Sequence, residues 1–193
     1  MTRRDELLRA TITQLEKRGL AQTRVADVAH ALGCSPALVF YHFRTKDELV
    51  ARAFELAVES DLARLDAAER KHADPLARVR AILRLYGPVG PAPTWQLWID
   101  AWALAQREPV IRRVLRRSNR RWSAVLRDAV VLGVAAGVFS CADPDASVAR
   151  ISALLDGLSV SVLVYESITR TQLRTWIAEA VAQELGVTAR LLR

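Results

Sequence analysis

Residues 23–49, TRVADVAHALGCSPALVFYHFRTKDEL, decide the fold. Val25, Val28, Ala29 and Leu32 recur at helical spacing, and Thr23 stands before them as an N-cap that accepts a hydrogen bond from an orphan backbone N–H. Gly33 stops this helix. Ser35 and Pro36 start another, the serine as N-cap and the proline at a first position whose missing N–H costs nothing. Val39, Phe40 and Phe43 are its expected buried residues, leaving Ser35, Pro36, Ala37, Tyr41 and His42 to face outward. Thr45 caps a further helix beginning at Lys46. Two helices joined by a turn of about three or four residues containing glycine form a helix-turn-helix, which lays its second helix in the major groove of DNA. A plain pair of core helices would account for the apolar spacing. It would leave the agreement of caps, turn and outward residues unexplained.

The run GCSPALVFYHFRTKDELV resembles the signature of the TetR family of one-component transcriptional repressors. An aromatic-Tyr-His-Phe run is followed after two residues by Lys-x-x-Leu and preceded by Ala-x-x-x-Gly-x-Ser, so the likeness spans the whole DNA-reading unit. The resemblance puts Tyr41, His42 and Lys46 on backbone-contacting positions and Ser35, Pro36, Ala37 and Leu38 at the start of the recognition helix. Thr23 and Arg24 complete the expected DNA-binding set. Arg24 stands where a threonine often touches phosphate, and Cys34 where an aliphatic residue is usual. Residues 98–157 resemble, more loosely, the C-terminal region of the betaine-responsive branch: a Trp-rich helix, Gly-x-x-x-Gly-x-Phe before Asp-Pro, then Leu-Leu-Asp-Gly-Leu.

Composition sets outer limits. A chain of 193 residues, 51% hydrophobic, is globular and long enough for one or two modest cores. Cys34 and Cys141 are far apart and lack partners at ligand spacing, which argues against a disulfide framework or zinc site and for a reducing cytoplasm. The N-terminus MTRRDELLRA turns charged at once, unlike a signal peptide, and the apolar run 129–142 is too short to span a bilayer, so no membrane association is expected. Net charge is +7. Residues 1–50 hold eight Lys and Arg against six Asp and Glu, so five of the seven excess charges lie outside the proposed head and add little to the DNA argument.

The remaining chain reads as helix after helix. Residues 3–18 carry Leu7, Leu8, Ile12 and Leu15 on one face and end at Gly19. A long helix runs from Lys46 to about Arg70, and Asp74-Pro75 opens one carrying Leu76, Val79, Ile82, Leu83 and Tyr86. GPVGPAP, 87–93, is a loop. Thr94 caps TWQLWIDAWALAQRE, Pro109 begins a helix to about Gly137, and the last two helices cover about 145–169 and 171–185. The expected architecture is all-α with about nine helices. A three-helix head over 1–48 is joined by helix 46–70 to a larger effector-binding and dimerisation domain over 49–193.

Several features carry alternatives. Trp95, Trp98 and Trp102 lie along one stripe that is either core or, with Tyr86, Trp122 and Asp156, one border of an effector pocket. An aromatic cage for an organic cation, with Asp100 or Asp156 as charge partner, and flat walls for an apolar ligand are both compatible with it. Arg112, Arg113, Arg116, Arg117, Arg120 and Arg121 form a basic band, either a solvated face partly paired to acids or a surface for an acidic partner. Gly133 and Gly137 suit close packing or helix termination better than a membrane motif. Ile151, Leu154, Leu155, Leu158, Val160, Val162, Leu163 and Val164 wrap most of their helix, which implies burial on two sides and a homodimer through a four-helix bundle. His30, His42 and His72 lack ligand spacing, and no phosphate loop or nucleophile elbow is present, so no catalytic residue, metal or cofactor is expected. The expected function is a repressor released from an inverted-repeat operator in double-stranded DNA by a small-molecule effector of unknown identity. The alternative is a constitutive dimeric DNA-binding regulator.

Overall fold

A computed structural model describes residues 2–87 and 93–192. Among these residues there are nine α-helices and no strand: α1 Arg3–Arg18, α2 Val25–Ala31, α3 Pro36–His42, α4 Lys46–Lys71, α5 Pro75–Tyr86, α6 Pro93–Leu104, α7 Pro109–Ala135, α8 Pro144–Leu163 and α9 Arg170–Leu185, followed by a 3-10 turn at Ala189–Leu192. They form two compact units, Met1–Ser60 with Ala92–Ser118 and Asp61–Pro91 with Asn119–Arg193. The GPVGPAP expectation falls mostly outside the described residues, at 88–92.

Helix ends follow local chemistry. Thr2 and Asp5 close a reciprocal capping box on α1, and Thr169 and Gln172 do the same on α9. Ser35, Asp74 and Asp143 cap α3, α5 and α8, each followed by proline at the first helical position. Three expected boundaries shift. Helix α6 begins at Pro93, so Thr94 lies within its first turn, and it ends at Leu104. Helix α8 ends at Leu163 because the Tyr165 and Ser167 amides turn back onto the carbonyls of Val160 and Ser161, with Glu166 at φ 50. Helix α2 has Arg24, not Thr23, at its cap position; the Arg24 N–H donates to Asp27 Oδ2 at 3.2 Å.

In the first unit Leu7, Leu15, Val28, Val39, Phe43 and Phe54 make a core in which α1 packs on α2 and α2 on α3. The second unit is centred on Ile82, Leu126, Ile151, Leu155, Val181 and Leu185, with α8 against α9. Gly133 is where α7 approaches its own continuation, since a Cβ there would lie 2.0 Å from Phe139 Cδ2. The glycine pair therefore serves local packing, and Gly137 takes the positive φ, +70, that turns the chain. Helix α8 is long and apolar enough to cross a membrane by length and composition. Its Val148, Ile151, Leu155 and Val162 are nevertheless buried within its own unit, as the core helix of a folded domain requires.

Candidate functional site: a DNA-reading head and an aromatic carboxylate cluster

The head presents α3 as an outward-facing helix. The Ser35 hydroxyl accepts the Leu38 N–H at 3.3 Å, and Val39 and Phe43 are buried beneath. Ser35, Pro36, Ala37 and Tyr41 are exposed, Tyr41 to 83%, and Leu38 and His42 are half-buried. The Tyr41 and His42 rings meet edge to face at 5.2 Å. Phe40 corrects the sequence reading, because it is 48% exposed. A helix this short has room for Val39 and Phe43 on its inner side, and the remaining aromatic joins the outward set.

Thr23 departs from its expected role. Thr23 is buried to 1% exposure, and its hydroxyl donates to the Gly19 carbonyl at 2.8 Å, so it braces the α1–α2 loop from within and presents no surface to DNA. Lys46 donates its Nζ to the Ala21 carbonyl at 2.8 Å, tying the start of α4 to the same loop. Arg24 is exposed, and Arg4 lies over the Phe43 ring at 5.0 Å.

The expected effector residues divide between the two units. In the second unit, Tyr86 at the end of α5 donates its hydroxyl to Asp156 Oδ1 of α8 at 3.1 Å, and the Trp122 ring of α7 meets Tyr86 edge to face at 5.0 Å. Burial pushes the Asp156 carboxyl up to about 6, partly opposed by the Tyr86 hydrogen bond. Burial, then the Asp156 charge, lifts the Tyr86 phenol far above its ordinary value, so it stays a hydrogen-bond donor. The result is a half-buried carboxylate held by the Tyr86 hydroxyl, whose ring in turn meets Trp122, with no basic side chain against the carboxylate among the described residues.

In the first unit Trp95 and Trp102 meet edge to face at 5.9 Å, while Trp98 packs on Phe54 of α4 at 5.7 Å. The stripe is thus one aromatic pair plus one ring that packs on the core. Asp100, weighed as a charge partner, is occupied otherwise: its Oδ2 accepts the Leu20 N–H at 3.0 Å. No signal in the sequence pairs residues so far apart.

Half of the arginine band is paired. Arg112 donates to the carbonyls of Ala105 and Gln106 at 2.8 and 2.9 Å, Arg117 pairs with Glu55 and Glu59, and Arg121 lies 2.5 Å from Asp66. Arg113, Arg116 and Arg120 are exposed. Of the expected dimer residues, Ile151, Leu155 and Val162 are buried in their own unit, a correction that assigns them to the internal side of α8. Leu154 remains 38% exposed and Leu158 half-buried, and Trp176 on α9 is 42% exposed.

Residues 75–186 match the family described as BetI-type transcriptional repressor, C-terminal, and residues 7–53 match the bacterial regulatory proteins of the tetR family. The HTH-type transcriptional regulator BetI of Paraburkholderia xenovorans is 28% identical over 165 residues, covering 81% of this chain and 79% of that protein. BetI of Brucella canis is 31% identical over 121 residues; that match spans 62% of this chain and 61% of the relative, less than two thirds of its length. Among solved structures, a transcriptional regulator from Saccharomonospora viridis in complex with choline shares 26% identity at a TM-score of 0.87, covering 94% of this chain and 96% of that one. A TetR-family regulator from a Rhodococcus species shares 28% at 0.79, covering 95% and 98%. The chain belongs to the TetR family of DNA-binding transcriptional regulators, with a C-terminal region of the BetI type.

Proposed function

We propose that the protein is a homodimeric cytoplasmic repressor whose residues 1–48 read an inverted-repeat operator and whose residues 49–193 bind an organic cation and dimerise. The observation that carries the effector class is the Asp156 carboxylate, half-buried against the Tyr86 hydroxyl, whose ring meets Trp122, without a basic partner among the described residues. A quaternary ammonium supplies the missing charge and tolerates aromatic neighbours, which an apolar ligand would do only by leaving the carboxylate desolvated. The likeness to a choline-bound regulator supports the same reading.

On the DNA side, Pro36, Ala37, Leu38 and Phe40 offer apolar contacts suited to thymine methyls in place of a bidentate hydrogen-bond code, with Ser35 capping the helix that presents them. Arg24, Tyr41, His42 and Lys46 serve the phosphates. A two-fold dimer presents its two recognition helices to major grooves about 34 Å apart, or a multiple of it, which calls for an inverted repeat. Leu154 and Leu158 on α8 with Trp176 on α9 supply the apolar surface for the dimer.

The test is operator selection from random DNA, followed by choline titration read by tryptophan fluorescence and by release of the operator. Choline and related quaternary ammonium compounds are expected to do both. If none changes operator affinity, the protein is the constitutive regulator. If only apolar compounds do, the cation assignment fails. Leu158→Arg is expected to give monomer in sedimentation, and a folded dimer would remove the α8–α9 interface.

A further inference from the structure

Helix α6 reaches the head through a hydrogen bond between residues 80 apart, from the Leu20 N–H to Asp100 Oδ2 at 3.0 Å. Leu20 follows the last turn of α1, whose final amide, that of Gly19, is taken by the Leu15 carbonyl. Leu20 is 1% exposed, so its own amide depends on the side chain Asp100 brings. Gly19 makes room for that carboxylate: a Cβ at Gly19 would stand 2.5 Å from Asp100 Oδ2, and its φ of +79 is one that other residues resist.

The loop held this way is the one that the rest of the head leans on. Thr23 donates to the Gly19 carbonyl from the start of α2, and Lys46 donates to the Ala21 carbonyl from the start of α4, both at 2.8 Å. Residues 19–23 are therefore held by Asp100 of α6, by Lys46 at the start of α4, and by the bond from Thr23 to Gly19 within the loop. A charge-assisted bond from an amide N–H to a carboxylate is short-ranged and directional, so a small shift of α6 changes it sharply.

We propose that Asp100 is a positioning residue that couples α6 to DNA affinity: it fixes the Gly19–Thr23 loop and, through the Ala21 carbonyl, the Lys46 ammonium. The coupling to an effector rests on the repressor reading above; the coupling to Lys46 does not. An effector acts here only by as much as its affinity differs between the arrangement with the bond intact and the one with it broken.

The experiment uses the full-length dimer, the selected operator and choline as probe. Choline is expected to weaken operator binding by wild type by about tenfold or more, and by Asp100→Ala by less than about twofold. Asp100→Asn, whose Oδ1 accepts the same amide, is expected to keep most of the wild-type response. An undiminished response in Asp100→Ala overturns the proposal. Without choline, a double-mutant cycle of Asp100→Ala with Lys46→Ala on operator affinity is expected to be non-additive by about threefold or more, and additivity overturns the proposal. If wild type ignores choline and other quaternary ammonium compounds, the repressor reading fails while this cycle still decides the role of Asp100. Should Asp100→Ala not fold, exchange of the Leu20 amide in wild type serves: protection differing about tenfold between operator-bound and choline-bound protein is expected, and equal protection overturns the coupling.

Discussion

Removal of one charge, at Asp156, gives the sharpest test of the effector assignment. A quaternary nitrogen cannot approach a carboxylate as closely as an ammonium, and at a separation of about 5 Å with an effective dielectric of about 20 the attraction is about 3 kcal/mol. Asp156 is partly open to water, which screens some of this, so Asp156→Asn is expected to weaken choline binding by about 2 kcal/mol, or roughly thirtyfold. The same carboxyl supplies an internal control. With its pKa near 6, it is about nine-tenths ionised at pH 7 and about one-tenth at pH 5, while choline keeps its charge throughout. Affinity in wild type should therefore fall about tenfold between pH 7 and pH 5, and Asp156→Asn should show no such slope. The carboxyl's own effect on stability runs in the opposite direction. Its folded pKa is raised from 3.8, so the native state binds the proton more tightly and loses stability as pH rises from about 4 to about 6. Isothermal titration calorimetry in buffers of constant ionic strength measures the affinities, and tryptophan fluorescence reports the ring environment. Wild-type affinity in Asp156→Asn, or a pH slope that survives the substitution, refutes the reasoning.

Other expectations can be measured on the same material. Gly133→Ala drives a Cβ into the Phe139 ring and should cost about 1–3 kcal/mol in urea denaturation, and Phe139→Leu in the same chain should recover part of it. Glu184 is held down at about 2, chiefly by the Arg150 guanidinium and next by the Ser147 hydroxyl; its contribution is present above its ordinary 4.5 and lost as pH falls toward 2. Arg150→Ala should flatten that acid limb of the stability curve, which denaturation between pH 2 and pH 6 will record. Lys46→Ala should weaken specific and non-specific duplexes alike and lower the log–log salt slope by about one, and an unchanged slope would remove Lys46 from the phosphate contacts.

What was legible in the sequence follows the range of the interactions. Ser35 and Asp74 with the prolines after them announced two helix starts because a cap is decided within three residues; Asp143 and Pro144 open α8 by the same device, where the start was expected at about 145. The head was legible as a unit because its caps, turn and apolar spacing all fall within one short stretch. Phe40 was misplaced because periodicity counts apolar residues without knowing how many a short helix can bury, and the inner positions went to Val39 and Phe43. Thr23 was misread for a similar reason: a threonine before a helix suits a cap, and only the Gly19 carbonyl, folded back by a positive φ, offered its hydroxyl a better partner.

The candidate sites divide along the same line. Tyr86, Trp122 and Asp156 were named from residue type and a family likeness, and the fold brings them within hydrogen-bonding and ring-contact distance inside one unit. The tryptophan stripe was equally visible, yet helical spacing states only that three rings share a face, not what that face meets; Trp98 met Phe54, and Trp95 met Trp102. Asp100 is the extreme case. Its chemistry is set by a backbone amide on another helix's exit, at a glycine whose missing Cβ leaves the space, and neither residue has meaning without the other. A contact between the exit of α1 and a helix some 80 residues further on is of this kind by necessity. A coupling contact must bridge segments that fold separately in sequence, so local pattern finds the parts of such a regulator and only the folded chain shows the joint between them.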